Sequence, residues 1–221
     1  MSAIFVTATG TDIGKTYVAA GLIRHFRAAG CNVDALKPVA TGFDPAKAEG
    51  SDAGLLLKAL GRPATPDAVE RICPWRYAAP LSPDAAARRE NRPLLFDDLV
   101  AFSRRAIAAA TGTLLIEGVG GVMVPLDDQH TVLDWMAALD VPLLVMTGAY
   151  LGTLSHTLTC LDVLERRKLH VKALVVNEMP GSSVTLDDTI ATLARFAPRT
   201  PVVALRRTPD AAAFKRIADL L

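Results

Sequence analysis

Short runs of β-branched and aliphatic residues alternate along this chain with longer stretches whose apolar positions recur at helical spacing. A first apolar run predicts a strand over 4–7. Val18, Leu22, Ile23 and Phe26 then recur every three or four residues and predict a helix over 14–29, closed by Gly30. A second strand is predicted over 33–37, stopped by Pro38, and a helix over 51–60 with Ser51 as its N-cap. The stretch 61–83 is proline-rich and reads as irregular, with one or two helical turns over 84–89. A helix over 97–110 is predicted with Asp97 as its cap, followed by a buried strand over 113–117. The remaining pattern predicts a helix over 132–139, a strand over 142–147, a helix over 152–167 and a strand over 171–177. It continues with a helix over 185–196 opened by a capping box of Thr185 and Asp188, a strand over 201–205 and a helix over 210–221. Near-continuous apolar strands alternating with helices define an α/β fold of three layers, with a mostly parallel central sheet covered by helices on both faces. At 221 residues the chain is long enough for one domain with a full core, and 38–95 reads as an irregular excursion that carries specificity.

Composition narrows the partners. The net charge is +1, too small a field to gather nucleic acid or an anionic membrane. Aromatic residues make up 5 %, few for stacking single strands. No apolar run approaches the roughly 18 residues of a membrane helix. Met1 leads directly into Ile4-Phe5-Val6 with no basic region before it, so no secretory leader is expected. Cys31, Cys73 and Cys160 are odd in number and far apart, as reduced thiols of a cytoplasmic protein would be. Small molecules are the expected partners.

The candidate chemistry begins at Thr7-Ala8-Thr9-Gly10-Thr11-Asp12-Ile13-Gly14-Lys15-Thr16, a glycine-bearing turn between a predicted strand and a predicted helix. That context makes it a P-loop, although Thr9 stands where the strict pattern has glycine. Backbone N–H groups of such a turn, with the helix dipole behind them, bind phosphate oxygens. Lys15 adds charge near the β- and γ-phosphates, and the Thr16 hydroxyl is offered to Mg²⁺. A nucleoside triphosphate and Mg²⁺ are the expected co-substrate and metal, and the nucleotide-binding set runs through Thr11, Asp12, Ile13, Gly14, Lys15, Thr16 and Tyr17, with Glu117 and Asn177. Glu117 ends a buried strand at the edge of the sheet where ligands sit. Asp52 reads either as a metal ligand or as a first-turn acid serving the helix dipole. Lys37 reads as a site cation or a strand-end charge, and Asn177 as a base reader or a turn former. Gly152-Thr153-Leu154-Ser155 opens a helix whose free N–H groups could seat a carboxylate. His156 in that first turn is read as structural.

These residues resemble, in order and over nearly the whole length, the dethiobiotin synthetase family. The loop 7–16 is similar to the family's own, which usually has Gly at Ala8. Lys37-Pro38-Val39-Ala40-Thr41-Gly42, Ser51-Asp52-Ala53, Pro80-Leu81-Ser82-Pro83, Glu117-Gly118-Val119-Gly120-Gly121 and Leu151-Gly152-Thr153-Leu154-Ser155-His156 each resemble a family segment. The resemblance implies metal ligation by Thr16, Asp52 and Glu117. It implies phosphate and substrate contacts at Thr11, Asp12, Lys15, Lys37 and Thr41, and an adenine contact at Asn177. Lys37 and Lys15 become the catalytic pair, while Gly118, Gly121 and Gly152, Thr153, Leu154, Ser155 fall in the substrate set. It further implies a cytoplasmic homodimer in which the helix start matching 152–155 holds the substrate carboxylate of the partner subunit's site. The implied reaction joins 7,8-diaminononanoate and CO₂ with ATP. The chain departs from the family at Ser155 (usually Asn), at Asp84 (often His), and at Arg206-Arg207, which stand near the expected adenine.

Three other readings compete. A partner-regulated P-loop ATPase of the chromosome- or division-site-positioning type would carry a lysine where Gly10 stands. A ligase acting on a cobalamin-type carboxylate would usually carry a fused glutaminase domain. A nucleotide binder without catalysis would not need Lys15, Thr16, Lys37 and Glu117 together.

Overall fold

The computed structural model describes residues 2–208 and 211–221. Six strands form one sheet: β1 (Ser2–Ala8), β2 (Val33–Leu36), β5 (Thr113–Glu117), β6 (Leu143–Gly148), β7 (Val171–Asn177) and β8 (Val202–Leu205). Their spatial order is β2-β5-β1-β6-β7-β8 and every recorded pairing is parallel. This is the mostly parallel α/β sheet that the hydrophobic pattern predicts. All six residues of β6 and the last four of β5 are buried, as strands covered on both faces must be. Around the sheet lie α1 (Lys15–Ala28), α2 (Asp52–Ala59), α3 (Pro66–Ile72), α4 (Pro83–Arg89), α5 (Phe96–Ala109), α6 (Val132–Leu139), α7 (Thr153–Arg166), α8 (Leu186–Phe196) and α9 (Ala211–Ala218). The helix expected over 210–221 corresponds to α9; Asp210 lies outside the described residues, as does Met1.

Gly30 closes α1 as expected. Its φ of +73° is a conformation that glycine adopts without penalty, and the Cys31 N–H reaches back to the Phe26 carbonyl at 2.9 Å. Ser51 caps α2 by accepting from the Gly54 N–H at 3.2 Å. At α5 the expected cap is corrected. The N-cap residue is Leu95 with no side-chain bond, and Asp97 lies inside the first turn. Phe96 is already in the helix, with its ring stacked on His130 at 4.0 Å between centroids.

The 38–95 excursion holds more order than its proline content suggests. Thr65 caps α3 with Pro66 at its first position, and β3 (Val39–Thr41) pairs in parallel with β4 (Trp75–Tyr77) as a separate two-stranded ribbon. These elements are three to seven residues long, too short for periodicity to reveal them. Ala40 and Thr41 of the ribbon and Asp52 of α2 line one side of the main cleft. Beneath it, Phe5 meets Trp135 edge-on at 4.7 Å, and the buried indole N–H donates to Ser103 at 3.2 Å.

Candidate nucleotide and phosphoryl-transfer site

The sheet order decides what can meet. β1 runs between β5 and β6, so the loop leaving β1 and Glu117 at the end of β5 emerge side by side, with Val6 paired to Glu117 in the ladder. The loop turns into α1 at Gly14, which holds φ +98° and whose missing Cβ would lie 2.6 Å from Asn177 Nδ2. The backbone angle is what calls for glycine there, and the approach of the Asn177 amide adds to it. Asn177 ends β7 and donates from Nδ2 to the Ile13 carbonyl at 3.1 Å, so it braces the loop from behind.

A cleft of about 930 Å³ opens over this point. Thr11, Asp12, Gly14, Lys15 and Thr16 line one side, and Lys37, Thr41, Asp52 and Glu117 line the floor and far wall. Phe43, Pro80, Leu81 and Pro83 supply apolar surface at the mouth. Of the other residues expected in the site, Ile13 is buried behind the loop. Tyr17 is 44 % exposed on α1, with its ring 6.0 Å from that of Phe214. Gly118 and Gly121 face protein: a Cβ on Gly118 would lie 2.9 Å from the Phe5 ring, and one on Gly121 would lie 3.2 Å from the Thr9 carbonyl. Their small size lets the strand end and the phosphate loop pack together. Residues 152–155 do not line this cleft.

Inside the cleft the charged groups form one connected cluster. Lys37 Nζ donates to Glu117 Oε1 at 2.7 Å and to the Gly118 carbonyl at 2.9 Å, and lies 2.9 Å from Asp52 Oδ2. Its three hydrogens therefore have three acceptors. Burial alone would pull this ammonium down, but Glu117 and then Asp52 outweigh burial and hold it above the ordinary lysine range. Burial tends to raise the Asp52 carboxyl, yet Lys37 and then Thr16 hold it below the usual carboxylate range. Lys15 is different. It donates only to carbonyls, those of Gly120 at 2.8 Å and Gly10 at 3.3 Å. Burial, with the Lys37 charge second, pushes it down to about 8. A phosphate oxygen arriving beside it would favour its charged form.

Thr16 tests whether these residues fit a metal. Its single hydroxyl hydrogen faces two carboxylate oxygens, Asp52 Oδ1 at 2.8 Å and Glu117 Oε1 at 2.7 Å. It can satisfy one at a time, and Glu117 Oε2 is buried without a hydrogen-bond partner. Two carboxylates and a hydroxyl converging with spare lone pairs form a hard oxygen donor set, which suits Mg²⁺ bound jointly with nucleotide phosphates. The sequence left Asp52 open between metal ligand and dipole acid; the structure puts its carboxylate on both Thr16 and Lys37.

The α7 start shows a second polar feature. Gly152 takes φ +96° at the cap, and the Thr153 N–H is taken by the Tyr150 carbonyl at 3.0 Å. The N–H groups of Leu154 and Ser155 have no acceptor among the described residues. Sequence reasoning missed Thr147, whose hydroxyl meets three other threonines beneath the loop. No spacing rule could have found it, because its partner Thr9 lies 138 positions away.

A parallel sheet that delivers a glycine turn, a lysine and a threonine to a helix N-terminus beside a strand-end glutamate defines the P-loop class of nucleoside-triphosphate-binding α/β proteins. A family model described as an AAA domain matches residues 2–212. The "MinC:MinD cell division protein complex" of Aquifex aeolicus superposes with a TM-score of 0.56 at 12 % identity, covering 98 % of this chain and 86 % of that one, which is a likeness of fold. An "ATP-dependent dethiobiotin synthetase BioD" of Acidiphilium cryptum is 50 % identical over 212 residues, 95 % of each chain. Another of that name from Methylobacterium nodulans is 49 % identical over 89 % of this chain and 90 % of its own. The chain belongs to the ATP-dependent dethiobiotin synthetase family.

Proposed function

We propose that this protein is an ATP- and Mg²⁺-dependent cyclo-ligase that converts 7,8-diaminononanoate and CO₂ to dethiobiotin, ADP and phosphate. The observation that carries the reading is Lys37, fixed by Glu117, Asp52 and the Gly118 carbonyl beside the head of the phosphate loop. One substrate amine adds to CO₂ and loses a proton, giving a carbamate. A carbamate oxygen attacks the γ-phosphorus and ADP leaves. The second amine attacks the resulting carbonyl and expels phosphate, closing the five-membered ureido ring. The substrate supplies every nucleophile, so the protein's part is positioning and charge neutralisation.

Lys15 would meet the β- and γ-phosphates, and Lys37 the carbamate and the transferring phosphoryl group, in a cleft to which Phe43, Pro80 and Leu81 contribute apolar surface. Thr16, Asp52 and Glu117 would hold Mg²⁺, which when bound neutralises charge developing on the phosphate oxygens. Thr11, Asp12 and Gly14 line the phosphate side and Thr41 the substrate side. Asn177 keeps its Oδ1 for a base edge while Nδ2 braces the loop. The open amides of Leu154 and Ser155 lie outside their own chain's cleft. Leu151 beside them is an apolar side chain 84 % exposed. Both features support a homodimer in which this helix start seats the carboxylate of the substrate in the neighbouring site. No helix among the described residues is long and apolar enough to cross a membrane. A net charge of +1 gives little field for nucleic acid or an anionic membrane, and a cytoplasmic enzyme of small molecules is the reading proposed.

The test is phosphate release from MgATP with and without the diamine and bicarbonate. Release that requires the diamine, with dethiobiotin formed in equal amount, supports the proposal. ATP turnover indifferent to the diamine overturns it and leaves an ATPase of another kind.

A further inference from the structure

Four threonine hydroxyls converge beneath the phosphate loop, at a place the reaction above does not touch. Thr147 Oγ1, near the end of β6, lies 3.1 Å from Thr9 Oγ1, 3.0 Å from Thr153 Oγ1 and 2.8 Å from Thr157 Oγ1. Thr147, Thr153 and Thr157 are buried to 1 % exposure or less. Each hydroxyl carries one hydrogen, and that fixes the directions. Thr153 spends its hydrogen on the Gly148 carbonyl at 2.5 Å. It can therefore only accept from Thr147. Thr147, having given its hydrogen to Thr153, must accept from both Thr9 and Thr157. The hub is saturated, and one directed chain runs Thr9 to Thr147 to Thr153 to the Gly148 carbonyl.

The two ends of that chain are the two binding elements. Thr9 belongs to the phosphate loop, and its N–H is also tied to the Met146 carbonyl at 2.9 Å. Thr153 opens α7, and the free amides of Leu154 and Ser155 follow it directly. Packing alone does not require a hydroxyl here: valine has nearly the same shape and favours a strand at least as well. We infer that Thr147 is a positioning residue that locks the phosphate loop and the α7 start into one rigid unit. Nucleotide affinity and substrate-carboxylate affinity would then depend on the same hydroxyl. The carboxylate half of this inference rests on the function proposed above; the nucleotide half does not.

The variants are Thr147→Val, Thr147→Ser and Thr157→Val, compared by melting, by calorimetric Kd for MgATP in the absence of diamine, and by KM and kcat. Thr147→Val leaves the buried Thr157 donor, the half-buried Thr9 donor and the buried Thr153 acceptor unmatched, so its Kd for MgATP and its KM for the diamine should each rise roughly tenfold, with a smaller change in kcat. Thr147→Ser keeps the hydroxyl and should stay within about twofold of wild type on both constants. Thr157→Val removes the arm to the second turn of α7 and leaves the chain from Thr9 through Thr147 to Thr153 intact. It should lower the melting temperature while leaving both constants within about twofold. Wild-type nucleotide affinity in Thr147→Val overturns the proposal, as does failure of Thr147→Ser to retain affinity or equal weakening by Thr157→Val. If Thr147→Val does not fold, Thr147→Ala carries the same comparison. A protein that shows the MgATP shifts yet forms no dethiobiotin refutes the proposed function and leaves the loop half of this inference standing.

Discussion

Replacing Lys37 by Met removes the one cation that touches both carboxylates of the cleft and keeps most of the side chain's apolar length. The consequence for stability is set by burial. Glu117 is 1 % exposed and would be left as a charge with no cation against it, whereas the Asp52 side chain is 46 % exposed and can turn to water. The Asp52 arm is therefore worth little, and the loss comes from stranding Glu117, about 3 kcal/mol for a broken buried pair. In a chain of this length that lowers Tm by roughly 6–12 °C. Synthetase turnover should fall by about a hundredfold or more, since the transferring group loses its fixed counter-charge. The discriminating variant is Lys37→Met with Glu117→Gln, which removes the stranded charge as well. It should recover at least half of the lost Tm while remaining inactive. Differential scanning calorimetry without nucleotide and a coupled phosphate assay read the two effects separately. A Tm within about 2 °C of wild type for the single variant, or no recovery in the double, would refute the reasoning that Glu117 depends on Lys37.

Asp52→Asn should raise the Mg²⁺ concentration for half-maximal activity several-fold, measured by titrating metal at fixed ATP; an unchanged Mg²⁺ profile would return Asp52 to the role of a helix-start acid. Gly14→Ala should abolish measurable ATP binding by calorimetry, because the φ of +98° and the 2.6 Å approach of Asn177 Nδ2 both oppose a Cβ. Adding Asn177→Ala relieves only the contact, so binding restored to wild type in that double variant would contradict the backbone argument. Burial pushes the Cys73 and Cys160 thiols up to about 12, while Cys31 is exposed. Native protein at pH 8 should accordingly release one equivalent in a thiol–disulfide exchange assay, and denatured protein three, the number of cysteines in the sequence. Fast reaction of more than one native thiol would count against the packing around β4 or α7.

Legibility in the sequence tracked the range of the interaction. The sheet strands and the phosphate loop are written in local signals, an apolar run or a glycine turn before a helix, and those signals were sufficient. So were the strand ends: Glu117 and Lys37 stand where a parallel sheet presents its ligands, and their position could be read without knowing what they touch. What the sequence could not say is that they touch each other. Asp52 shows the limit well, since the same residue at the same helix position satisfies the dipole and the cluster equally, and only the distances to Thr16 and Lys37 separate the readings. Asp97 shows the opposite error. A good capping residue was available, but the helix already includes Phe96, whose ring stacks on His130, 34 positions away. The ribbon of β3 and β4 and the helix α3 were hidden by their shortness, and the Thr147 hub by distance along the chain.

The two lysines of the cleft, alike in sequence as cations near strand or loop ends, are prepared for different work by what holds them. Lys15 hangs on the carbonyls of Gly120 and Gly10, neutral acceptors that a phosphate oxygen can replace with a gain in charge attraction. Its lowered proton affinity comes first from burial and then from the Lys37 charge, which the carboxylates of Glu117, Asp52 and Asp12 offset only in part; a phosphate beside it would add to their side. Lys37 has its counter-charge already. Leaving Glu117 would strand a buried carboxylate, so Lys37 is a fixed point of the cleft, and in the proposed reaction the substrate would come to it. A cation held only by neutral carbonyls suits a phosphate ligand that can replace them. A fixed one would suit the carbamate and mixed anhydride of the proposed reaction, which would have to form and react in one place before decomposing. The division between the lysines follows from one difference in partners: carbonyls from glycines in the first case, carboxylates from β5 and α2 in the second.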